Sequence, residues 1–291
     1  MKLLKKLCVL ASALFIFNTA VTARTFRTEI WNDVPSMRKY HVSMYCTIPE
    51  NHNGSAVIIL AGGSYHHLGY RTEGKTTAAW FNEQGTCTFI LNYRVAGNGY
   101  HYPAMMEDVQ KAILYVRQNA RNFGIDKNRI ATIGFSAGGH LSCWSGEFGN
   151  RTNELEKFGI IPTESIRPSI VISVYPVVTM QQDIGHEWSR ESLLGKNPTQ
   201  EQRDLFSLEM NVPDDMPPTY VIACHDDPVV IYENSVRLAN ALKEKNIDYR
   251  FIDYPIGGHG FAMIDNDFMK QYHWNADLKL WLDAHNFFTA E

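Results

Sequence analysis

Gly134-Phe135-Ser136-Ala137-Gly138-Gly139-His140 is the stretch of this chain best suited to chemistry. A Gly-x-Ser-x-Gly pattern between a strand and a helix puts the serine on a turn so tight that the flanking positions need almost no side chain. Such a turn lifts the Ser136 hydroxyl above the end of the strand. The Ala137 amide then lies at the start of the next helix, where a developing oxyanion gains from both the N–H and the helix dipole. Serine acyl transfer also needs an imidazole to take and return the proton, and a carboxylate to fix the imidazole tautomer. His259, in Gly257-Gly258-His259-Gly260-Phe261, is placed for the first role. Asp226 and Asp227 are adjacent candidates for the second, and Asp227-Pro228 reads equally well as a plain helix cap. A second glycine turn, Ala61-Gly62-Gly63-Ser64-Tyr65, offers the amide of Gly63 or Ser64 as another oxyanion donor.

Each of these groups comes just after a predicted strand. Ala56–Leu60, Cys87–Tyr93, Arg129–Ile133, Ser169–Tyr175, Thr219–Cys224 and Tyr249–Tyr254 are short, mostly apolar runs. Helical patterns fall between them, over Thr76–Gln84, from Pro103 through Val116, from Leu141, over Tyr232–Asn246, and over Phe268–Phe287. His41–Cys46 alternates in part and predicts an early, half-exposed strand. Alternating strands and helices imply an α/β domain with a mostly parallel central sheet and helices on both faces. The order Ser136, acid, His259 then gathers the reactive groups past the carboxyl ends of the strands. Residues from about 177 to 217 carry several prolines and many polar residues, which predicts an insertion between core elements. The insertion lacks the apolar amphipathic helix of a lipid-seeking lid.

The ends and the composition add constraints. Residues 1–23 show a basic start, an apolar stretch of signal-peptide length and a small residue at Ala23, which predicts export to the periplasm or beyond with cleavage after Ala23. Residues 24–291 then form one domain. Removing residues 1–23, with three lysines and no acid, takes the net charge from −4 to −7. An acidic chain without a basic run suits neither nucleic acid nor an anionic membrane, and no later segment reads as transmembrane. Cys46, Cys87, Cys143 and Cys224 show no metal or redox spacing. Buried thiols are at least as good a reading for them as disulfides. No metal or other cofactor is expected.

With these residues in view, the chain resembles the α/β-hydrolase serine esterases of the hormone-sensitive-lipase-like group, and more closely the bacterial acetyl xylan esterase-like carbohydrate esterases. Gly134 to Leu141 matches their elbow, and Gly257-Gly258-His259-Gly260-Phe261 matches their histidine loop. Ala61 to Tyr65 is similar to their Pro-Gly-Gly-Gly-Tyr loop, with Ala for Pro and Ser for the third Gly. Ser189 to Gly195 resembles their Ser-x-x-x-Leu-Leu-Gly segment. Asp227 to Val230, followed by Glu233-Asn234-Ser235, resembles their acid segment, and that register puts the catalytic acid on Asp227. The resemblance implies a secreted esterase that removes short acyl groups, chiefly acetyl, from plant polysaccharide or oligosaccharide. A prolyl-oligopeptidase-like peptidase and a non-catalytic binding protein on the same scaffold are the alternatives. Tyr65, His66, His186 and Trp188 fall in loops expected at the mouth, where flat amphipathic rings suit sugar faces.

Overall fold

The computed structural model describes residues 23–289, so the expected signal segment, apart from Ala23, lies outside the described residues. Among the described residues, eight strands form one sheet in the order β1-β2-β4-β3-β5-β6-β7-β8. These are β1 (Arg24–Glu29), β2 (Ser43–Ile48), β3 (Ala56–Leu60), β4 (Cys87–Asn92), β5 (Ile130–Phe135), β6 (Ile170–Val174), β7 (Thr219–Cys224) and β8 (Tyr249–Tyr254). The pairings from β4 through β8 are all parallel, and β1 and β2 add an antiparallel edge.

The middle strands are apolar throughout because both faces are covered. Along β3, Ala56, Ile58 and Leu60 point into one core while Val57 and Ile59 point into the other. The first core is filled from α2 (Ala104–Gln118), α4 (Ala137–Phe148) and α7 (Glu233–Glu244) through Met105, Val109, Ile113, Leu141, Trp144 and Leu238. The second is filled by Ala78 and Phe81 of α1 (Thr76–Glu83), by Phe268, and by Trp274, Leu278 and Trp281. Every residue of α4 is buried, since it crosses the middle of the sheet under the insertion.

Three local readings need correction. The predicted early strand starts at Ser43 and is mostly buried, because its neighbours β1 and β4 cover both edges. β1 itself has a polar sequence, as an edge strand tolerates, and its apolar signal is one residue, Phe26. The last helical stretch is two helices, Asp267–Tyr272 and Trp274–Ala284, parted at His273, whose φ of 46° is left-handed. The segment between β6 and β7 carries helices Glu187–Leu194 and Gln200–Phe206. It is polar outside, but Leu193, Phe206 and Leu208 bury into the first core and hold it down.

Candidate active site

Ser136 occupies the turn between β5 and α4 at φ 53° and ψ −120°, a backbone that L-residues avoid. The turn holds because its neighbours leave no alternative. A Cβ at Gly134 would run into the Gly138 carbonyl, and one at Gly138 into the Leu60 carbonyl. The Ser136 amide donates to Val174 O at 2.9 Å, which pins the turn to β6. Ser136 therefore stands at the carboxyl end of the sheet beside His259, and both line one cleft of about 220 Å³ with Gly63, Ser64, His67, Thr72, Glu73 and Val229.

The two aspartates do different work. His259 Nδ1 donates to Asp227 Oδ2 at 2.6 Å, while Asp227 Oδ1 accepts from the amides of Val229 and Val230 at 2.8 and 2.9 Å. Both oxygens of this buried carboxylate are occupied, so its orientation is fixed. Asp226 Oδ1 instead accepts from the amides of Gly257 and Gly258 at 2.9 and 2.7 Å and shapes the loop that carries the histidine. The hydrogen bond from Ser136 to His259 is not formed in this structure; such bonds often tighten only in the substrate complex.

Of the expected oxyanion donors, Gly63 and Ser64 line the cleft, and Ala137 follows Ser136 at the start of α4. Ser64 and Tyr65 follow each other at φ 55° and 56°, and this double left-handed turn brings the Gly63–Ser64 segment to the cleft wall. The amides of Gly63, Ser64 and Ala137 have no acceptor among the described residues. The Gly62 amide is already taken by Glu73 Oε2 at 2.6 Å.

The mouth residues divide. Tyr65 is a correction: the left-handed backbone turns it inward, it is 0% exposed, and its hydroxyl bonds His140 Nδ1 at 2.8 Å. It is a core residue and does not reach the cleft. His66, His67 and Trp188 stay outside and form a ring cluster, with Trp188 5.4 Å from His66 and 5.8 Å from His67, centroid to centroid. His186 is half-buried with Nδ1 2.8 Å from Ser189 Oγ, and burial first, then the nearby His259, lower its pKa. A polar groove of about 560 Å³ starts at His66 and His67 and runs past Arg94 to Tyr40 and Tyr100.

Two buried residues beside the site carry no sequence signal. Glu73 and Tyr175 meet at the cleft base, with Tyr175 O–H donating to Glu73 Oε1 at 3.0 Å across 102 residues of chain. No motif spacing links them. Among the described residues no cluster of His, Cys, Asp and Glu is arranged to hold a metal, and no helix is long and apolar enough to cross a membrane. Cys46, Cys87, Cys143 and Cys224 are buried free thiols.

The BD-FAE family model matches residues 43–242, and the dienelactone hydrolase family model matches residues 207–291. The acetylxylan esterase of Xylanibacter ruminicola is 30% identical over 250 residues, covering 84% of this chain and 47% of the relative. Endo-1,4-beta-xylanase B of Butyrivibrio fibrisolvens is 33% identical over 259 residues, covering 85% of this chain and 39% of the relative. The chain thus spans less than half the length of either protein. The crystal structure of an acetyl ester-xyloside bifunctional hydrolase from Caldicellulosiruptor lactoaceticus superposes with a TM-score of 0.80 at 30% identity, over 92% of this chain and 99% of that one.

Proposed function

The chain belongs to the BD-FAE family of α/β-hydrolase esterases, and from that premise we propose that it removes acetyl groups from xylan-type polysaccharide or oligosaccharide through an acyl-enzyme on Ser136. The observation that carries the reading is the cleft where Ser136 meets the His259–Asp227 pair. In the proposed cycle His259 takes the Ser136 proton as the hydroxyl attacks the acetyl carbonyl. The amides of Ala137 and of Gly63 or Ser64 receive the oxyanion. His259 protonates the departing sugar oxygen, then takes a proton from water as that water attacks the acyl carbon, and returns it to Ser136 Oγ as the bond to acetate breaks. Asp227, bonded to Nδ1, fixes the tautomer that leaves Nε2 unprotonated to serve as the base, and stabilises the cation that forms.

Substrate size follows from the surroundings. The cleft is small and its lining mixed polar, which suits an acetyl group and offers no long apolar channel. The adjoining groove, rimmed by His66, His67, Tyr40 and Tyr100, suits a neutral glycan. Its one buried cation, Arg94, is already paired with Glu107 and Asp108. The two relatives, an acetylxylan esterase and an endo-1,4-beta-xylanase, support the same class. We further propose export with cleavage after Ala23, since β1 begins at Arg24 and such cleavage leaves every described strand in place. The test is acetate release from acetylated xylan and xylo-oligosaccharides beside a chain-length series of nitrophenyl esters. kcat/KM should fall steeply beyond butyrate. A preference for octanoate, or no acetate from any acetylated glycan, refutes the assignment.

A further inference from the structure

Behind Ser136 lies a carboxylate that the triad leaves unused. Glu73 sits in the wide helical turn Tyr70–Lys75, and its buried side chain reaches the base of the cleft. Oε2 accepts the Gly62 amide at 2.6 Å and Oε1 accepts the Tyr175 hydroxyl at 3.0 Å. Gly62 immediately precedes the amides of Gly63 and Ser64. The Tyr175 ring lies against His259, with centroids 4.6 Å apart, and against Phe261 at the same separation. The chain keeps this space open with glycine. A Cβ at Gly69 would come within 2.7 Å of Glu73 Oε2, and one at Gly62 within 3.2 Å of it and 2.8 Å of Ser136 Cβ.

We propose that Glu73 is a positioning residue for catalysis: its carboxylate ties the oxyanion loop, through Gly62, to the wall that backs His259, through Tyr175. The inference rests on the reading of Ser136 and His259 as the acyl-transfer pair and adds what keeps their two halves in register. The physical need is clear at the loop. Ser64 and Tyr65 both hold left-handed backbone, at about 1–2 kcal/mol each for non-glycine residues, so the loop needs an external anchor. The short hydrogen bond from the Gly62 amide to the buried Glu73 side chain supplies it. Oxyanion donors act only when they stand about 3 Å from the oxyanion, so a small drift of Gly63 and Ser64 removes their effect on the transition state and leaves ground-state binding alone.

The experiment is steady-state hydrolysis of p-nitrophenyl acetate by the full chain, with active sites counted by fluorophosphonate titration. Glu73→Ala should lower kcat per titrated site by about 100-fold, the scale of one lost oxyanion donor, with KM within about threefold. Glu73→Gln keeps an acceptor for Gly62 and should recover to within about tenfold of wild type. Tyr175→Phe deletes one oxygen and should lower kcat by roughly tenfold. Gly69→Ala, which displaces the carboxylate and leaves it in place chemically, should fall between these variants. A merely structural role would reduce the number of titratable sites and leave kcat per site unchanged. That result in Glu73→Ala, or in Tyr175→Phe alone should the alanine variant not fold, overturns the inference. A wild-type chain that neither takes up the probe nor hydrolyses the ester overturns the acyl-transfer reading and this inference with it.

Discussion

At the residue scale, the acid pair separates two functions that adjacent aspartates make hard to distinguish in a sequence. Asp227 faces the imidazole, and Asp226 faces two glycine amides of the histidine loop. Asp227→Asn should therefore cost about 10⁴-fold in kcat, because the amide favours the wrong imidazole tautomer. Asp226→Asn keeps one oxygen for Gly257 and Gly258 and should cost roughly tenfold or less. Parallel kcat measurements decide this, and reversed magnitudes would move the acid to Asp226. Ser136→Ala should remove turnover and leave the thermal unfolding midpoint within a few degrees of wild type, since the hydroxyl faces the cleft. Ser64 offers a test of the loop itself. Its φ of 55° suits glycine, so Ser64→Gly should relieve local strain and retain turnover. A large loss of kcat in that variant would mean that the serine hydroxyl itself takes part.

At the element scale, α4 joins Ser136 to the rest of the fold at an electrostatic cost. Glu147, near its end, is fully buried; Cys143 Sγ–H reaches Oε1 at 3.6 Å, and Oε2 has no partner among the described residues. Burial pushes the carboxyl well above its ordinary value, and nearby Glu209 pushes the same way while Arg151 opposes. A raised folded-state pKa means that the folded chain holds a proton that the unfolded chain has already released. Its contribution to stability is full below the ordinary carboxylate range and is lost as pH rises. Glu147→Gln cannot ionise, so it should match wild type near pH 4 and exceed it by at least about 1 kcal/mol at pH 8, the scale of one buried unpaired polar group. Urea unfolding at several pH values reads the difference; a gap independent of pH rejects the account. Elements also explain what the sequence made legible. β5 and α4 show because a continuous apolar run meets a glycine pattern within one short window. β1 does not, since an edge strand needs little apolar surface, and its pairing with β2 supplies the rest. The histidine loop and the elbow were readable for the same local reason, whereas the Glu73–Tyr175 contact spans 102 residues and leaves no periodic trace. Tyr65 misleads because an aromatic after glycines in a loop suggests exposure, and the direction of its side chain depends on two successive left-handed residues.

At the scale of the whole molecule, one buried histidine joins three parts of the chain that must stay together for the site to exist. His140 lies one turn past Ser136 in α4. Its Nε2 is 2.9 Å from Phe206 O in the insertion, and its Nδ1 is 2.8 Å from the Tyr65 hydroxyl in the Ala61–Tyr65 loop. A carbonyl only accepts, so Nε2 carries the proton and Nδ1 accepts from Tyr65. This neutral tautomer satisfies every polar atom at the junction. Protonation would place a second N–H against the Tyr65 hydroxyl and a charge in a site with no exposed atom. Burial accordingly lowers the His140 pKa from 6.5 to about 4. The sign follows directly. Above pH 6.5 neither folded nor unfolded chain binds this proton; between 6.5 and 4 the unfolded chain binds it and the folded chain does not, so stability falls as pH falls. The loss over that window is about 3 kcal/mol, a large share of the roughly 5–15 kcal/mol that holds a domain folded. Glu73 and Glu147 work in the opposite direction, because burial raises both carboxyls and each gains stability as the medium acidifies. The histidine term is isolated by comparison with His140→Gln, whose amide can donate to Phe206 O and accept from Tyr65 without titrating. Between pH 6.5 and 4, wild type should lose about 3 kcal/mol more in urea unfolding than this variant. The His140 ring resonances should show no titration near pH 6.5. A histidine that titrates there, or equal pH slopes for the two proteins, would remove His140 as the acid-sensitive joint between the Ser136 turn, the Ala61–Tyr65 loop and the insertion.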